Sequence, residues 1–145
     1  RLNVTLTCTS CGSEIMFRQH GIVIDYRHDS RMFGQLPLGT SKLAIGLYEE
    51  ATKCFINQTL RACASMCRAT VEQVLVDQGY KEGNLETKID SAKSDGLLDN
   101  EQLAVAHGSR LMGNRALHRA SDIQPGSALA ALGAVVSIID HILVG

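Results

Sequence analysis

From Ser41 to the end of the chain the apolar residues return every three or four positions, a period that admits little besides packed helices. The clearest stripe is Leu60, Cys63, Ala64, Cys67, Val71, Val74 and Leu75. It predicts a helix over 58–78, closed by Gly79. Leu43, Leu47, Ala51, Cys54 and Phe55 predict a helix before it, over 41–57, with Ser41 as N-cap. Leu85, Ile89 and Ala92 mark a short third helix over 85–94, which Gly96 closes. Asp99 caps a fourth, with Gln102 three residues on in a capping-box arrangement. A turn at 121–126, with Pro125, leads into a fifth that runs to about Leu143. That last helix is apolar almost all round, so it is expected to be the central and most buried one. Its apolar run, 128–139, is too short to span a bilayer and is interrupted by Asp140 and His141. A core helix in a cytoplasmic protein is the expectation, with no membrane partner.

Ahead of Ser41 the pattern is different. Asn3 to Cys8 alternates like a strand, and 14–19 and 22–26 read as two further β runs joined at His20-Gly21. Cys8-Thr9-Ser10-Cys11-Gly12 sits between the first and second, where a zinc ribbon carries its knuckle. Residues 1–30 are therefore expected to form a small zinc-ribbon-like β-ribbon, with 31–40 as a linker punctuated by Gly34, Pro37 and Gly39, and 41–145 as a helical domain. Zinc is the candidate cofactor, with Cys8, Cys11, His20 and His28 as the nearby ligands. A complete site, a ribbon that has lost its metal and a redox pair remain the three readings of the Cys-X-X-Cys. The five cysteines, an odd number with three on helices, indicate a reduced chain rather than a disulfide framework.

Chemically capable side chains crowd into one stretch, 110–118. At 100° per residue His107, Arg110, Asn114 and His118 share one side of the fourth helix, and Leu103, Leu111 and Leu117 fall on that side too. The polar stripe is thus expected within the apolar face, with Arg115 and Arg119 turned to solvent. Such a stripe is either a satisfied internal network or a groove at the helix surface or at a subunit contact. Gly113, in a helix interior, suggests a kink, a helix end or a close backbone approach. Arg68 and Glu72, one turn apart on the second helix, are either a surface ion pair or a network that turns inward to meet the stripe. Composition narrows the function. A net charge of −1 in 145 residues argues against binding nucleic acid by bulk electrostatics, though not against a local basic site, and 4 % aromatic residues with no Trp argue against base-stacking platforms.

Tyr48-Glu49-Glu50-Ala51, Arg68-Ala69-Thr70-Val71-Glu72, Leu85, Ile89, Gly113-Asn114 and His118, ahead of a long apolar helix, together resemble the domain-of-unknown-function family 4145 over roughly residues 40–145. The resemblance implies a mainly α, HEPN-like helical bundle of about five helices, preceded here by the N-terminal β-ribbon. It also implies a setting in bacterial defence or restriction systems, and a homodimer. HEPN ribonucleases carry an arginine, four to six intervening residues and then a histidine, often with a polar residue after the arginine. Carried over to this chain, His118 matches the histidine and Asn114 the polar position, while the arginine position falls on Gly113. Arg110 lies one turn earlier. Two functions follow. One is a non-catalytic interaction module, with RNA, DNA or a defence-system protein as partner, in which Arg68, Glu72, Asn114 and His118 are structural. The alternative is a metal-independent ribonuclease in which His118 moves protons while Arg110 holds the phosphate and Asn114 orients.

Overall fold

Ser41 starts the helical part of the chain by accepting the Ala44 amide hydrogen on its hydroxyl, at 3.2 Å, while donating its own proton to Asp77 at 2.6 Å. That one side chain caps α1 (Lys42–Ile56) and ties it to the end of α2 (Leu60–Asp77). The computed structural model describes residues 3–7, 14–18, 25–27, 36–118 and 122–145. The chain divides into two units, Arg1–Gln35 and Leu36–Gly145. In the first, β1 (Asn3–Thr7), β2 (Glu14–Arg18) and β3 (Asp25–Arg27) pair antiparallel in that order, Asn3 opposite Arg18 and Glu14 opposite Arg27. Cys8, Cys11, His20 and His28 lie outside the described residues.

The second unit is mainly helical, and its five helices continue with α3 (Leu85–Ser94), α4 (Asn100–His118) and α5 (Pro125–Leu143). Their ends have local causes. Gly79 and Gly96 take positive φ, +101° and +80°, where a side chain would be strained, and each lets the chain fold back after a helix. Asn84 accepts from the Thr87 amide at 2.9 Å to cap α3, and Asp99 accepts from the Gln102 amide at 2.8 Å ahead of α4. Pro125 occupies the first turn of α5, where no amide hydrogen is needed. At the α1–α2 corner Gln58 adopts φ +60°, a left-handed conformation with no glycine to take it.

The centre of the bundle is α2, not α5. It contacts each of the other four helices and buries Cys63, Ala64, Cys67, Thr70, Val71, Val74 and Leu75. The expectation that α5 is the most buried helix is corrected. It is apolar enough, and at 19 residues long enough, to cross a membrane by length and composition, yet only 33 % of it is buried. Hydropathy permits burial on every side, but neighbours supply it, and α5 packs chiefly on α1, α2 and α4.

Candidate functional site

On α4 the buried face is Gln102, Ala106, Ser109 and Gly113. The expected placement of the polar stripe within the apolar face is therefore corrected. His107, Arg110 and Asn114 run half-buried along the edge of the buried face, His118 is exposed, and Leu111 and Leu117 are 51 % and 61 % exposed. The physical reason is close packing by small residues. The Arg68 stem lies where a side chain at Gly113 would stand: a Cβ there would meet Arg68 Cβ at 2.6 Å and Cδ at 2.7 Å. Small side chains win the inner face because they let the α4 backbone approach α2, and the leucines are displaced outward.

Two polar chains grow from this packing. In the first, Arg68 Nε donates to Asn114 Oδ1 at 2.9 Å and Nη1 donates to Glu72 at 3.4 Å. Glu72 also accepts from Lys88 Nζ at 3.2 Å, and Lys88 donates to the Gly83 carbonyl at 2.6 Å. This chain joins α4 to α2 and α3. Lys88 is only 5 % exposed, and the Glu72 carboxylate and the Gly83 carbonyl replace the water that its Nζ has left. In the second, Arg110 Nε donates to His107 Nδ1 at 3.3 Å and its Nη1 sits 3.7 Å from Glu86. His107 Nε2 stands 3.1 Å from Asp90. With Nδ1 accepting from a guanidinium, the ring proton is on Nε2 and points at Asp90.

The sequence-derived residues thus separate. Arg68, Glu72 and Asn114 come together. Arg110 turns to α3, and eight residues of helix, about 12 Å of rise, separate it from His118. His118 makes no hydrogen bond or ion pair among the described residues. It lines a shallow groove of about 320 Å³ with Leu111, Asn114 and Arg115. Lys88, Glu86 and Asp90 were not singled out from sequence. The available signal was Lys88 beside Leu85, Ile89 and Ala92 on the apolar stripe of α3, where a charge needs a partner. Among the described residues no group of three or more His, Cys, Asp or Glu stands close enough to hold a metal ion.

A second cluster lies under α1. Cys63 and Cys67 are fully buried, one turn apart on α2, with Tyr48 fully buried beside them. A hydrogen bond with Cys63, together with burial, pushes the Cys67 thiol up. Burial, and then the two thiols, push the Tyr48 hydroxyl up. The same hydrogen bond, from Cys67, draws the Cys63 thiol down. Tyr48 and Cys67 keep their protons, and all three side chains pack as core.

Fold and polar chains together define a small α-helical bundle domain whose helices are cross-linked by partly buried ion pairs and hydrogen bonds. The model of the domain-of-unknown-function family DUF4145 matches residues 49–144, and the chain belongs to that family. Neither the curated proteins nor the solved structures hold a match to it.

Proposed function

We propose that this chain is a non-catalytic interaction module, HEPN-like in fold and associated with nucleic acid, that works as a cytoplasmic homodimer in a bacterial defence or restriction system. One observation supports this reading above the rest. Arg110 is held by Glu86 and His107 and faces away from His118, and Asn114 is occupied by Arg68. A phosphodiester at His118 would not meet the Arg110 guanidinium in position to stabilise its charge. The N-terminal unit is read as zinc-ribbon-like, with Cys8, Cys11, His20 and His28 as its ligands. Zinc content of the wild type and of Cys8→Ser/Cys11→Ser tests that part.

A ribonuclease using His118 with Arg110 and Asn114 is the second reading, and the exposed His118 in its groove favours it. One experiment separates the two: a labelled RNA pool incubated with the metal-free protein, with His118→Ala beside it, and the same pool and a DNA pool in a mobility-shift assay. The module reading expects a shift and no cleavage by either protein. Cleavage by the wild type that His118→Ala abolishes overturns it in favour of the ribonuclease.

A further inference from the structure

The outer sides of α4 and α5 form a continuous surface with an unusual composition. On α4 the exposed positions include Glu101, Ala104, Gly108, Leu111 and Arg115. On α5 they include Gly126, Leu129, Ala130, Gly133, Ser137 and Asp140. No charged residue occurs on α5 between Pro125 and Ile139. Gly108 and Gly133 are mid-helix, where glycine costs stability, and a Cβ at either would meet nothing within 4 Å. Unlike Gly113, neither is explained by packing inside the chain.

The register of the two helices places these glycines side by side. His141 on α5 stands 4.0 Å from Asp99 just ahead of α4, and Met112 shares a groove with Ser127. The helices are therefore antiparallel. Nine residues along α4 from Asp99, and eight back along α5 from His141, Gly108 comes level with Gly133. The surface has a waist of bare backbone there, with Leu111 and Leu129 half-exposed near it.

The charges are arranged symmetrically about that waist. Glu101 and Arg115 lie seven residues, two turns, either side of Gly108 on one face. Among the described residues neither makes an ion pair. Asp140 and Gly126 lie seven residues either side of Gly133, and Gly126 is in the first turn of α5, where the helix dipole favours a negative partner.

We infer that this face is the contact between two copies of the chain, related by a two-fold axis across the waist at Gly108 and Gly133. The axis sets α4 antiparallel against α4 of the second copy. Glu101 meets Arg115 of the second copy, and Asp140 meets the start of its α5. An isologous contact needs a self-complementary surface, and acid at one end with base at the other supplies it. The glycines let the backbones approach at the crossing. The inference rests on the homodimer named above and supplies its interface.

Sedimentation equilibrium of the full chain tests it, with circular dichroism confirming that each variant is helical. The wild type should sediment as a dimer, and Gly133→Glu, which fills the waist with charge, as a monomer. Glu101→Arg and Arg115→Glu should each weaken the dimer about tenfold or more, and the two together should restore it. A wild type that is monomeric at every concentration overturns the inference, as does a dimer indifferent to Gly133→Glu or a charge pair that fails to restore it. A monomer that still shifts nucleic acid without cleaving it sinks this interface and leaves the module reading standing. A dimer that cleaves RNA does the reverse.

Discussion

The stem of Arg68 fills the space that Gly113 leaves empty, and its Nε reaches past the glycine to Asn114 at 2.9 Å. The glycine and the arginine are one device. Without the first there is no room for the second, and the second gives the close contact between α2 and α4 a polar lock.

Gly113→Ala should therefore destabilise the chain by about 1–3 kcal/mol, the usual cost of overpacking, since Arg68 Cβ is held by the α2 backbone and cannot swing away. Gly46→Ala should do the opposite. Gly46 is exposed in α1 with no atom within 4 Å of a new Cβ, so relief of the glycine penalty should stabilise by about 0.5–1 kcal/mol. Thermal denaturation of the two variants reads the opposite signs directly, and a Gly113→Ala that melts above the wild type would refute the packing account.

The Arg68–Asn114 bond should show as coupling. The Arg68 side chain is 25 % exposed, so solvent discounts the full value of a charge-assisted bond. A double-mutant cycle of Arg68→Ala and Asn114→Ala is expected to give a coupling of about 1 kcal/mol in urea denaturation. Additive losses would mean that the bond contributes nothing to stability.

Ser109 presents the reverse case. It is 4 % exposed on the inner face of α4, and its hydroxyl has no hydrogen-bond partner among the described residues. Ser109→Ala removes an unsatisfied buried group and keeps the small size that the helix contact needs. It should stabilise by about 0.5–1 kcal/mol. A loss of stability would reveal a partner for that hydroxyl, such as a buried water.

Alkali should unfold the bundle through its buried acids. Tyr48 is raised above 10.0, by burial first and then by Cys67 and Cys63. Cys67 is raised above 9.0, by its bond with Cys63 first and then by burial. In both cases the folded state keeps a proton that the unfolded chain gives up. The stabilisation is complete below the unfolded values and declines as pH rises through them. Urea midpoints should hold steady to about pH 9 and fall beyond it, and Tyr48→Phe should flatten the part of the decline that begins near 10.0. A midpoint unchanged well above 10.0 would show that these groups ionise without unfolding.

The helices of the second unit were legible in the sequence because their signals are local. Ser41, Asn84 and Asp99 cap with their own side chains, and Gly79 and Gly96 close helices at positive φ. Apolar spacing identified the inner face of α2 for the same reason, since each buried residue sits one turn from the next. Which side of α4 faces inward was not legible. Hydropathy ranks Leu111 and Leu117 above Ala106, Ser109 and Gly113, yet the small residues are inside, because the distance between two helices is set jointly by both surfaces. The partners of Arg110 and Lys88 were hidden likewise. Glu86 lies 24 residues before Arg110 and Glu72 lies 16 before Lys88, separations at which local patterns no longer say which charges meet. Helix identity is a matter of neighbours within a turn or two. Whether His118 has a cation beside it, and which helix stands at the centre, depends on how three or more helices share one core.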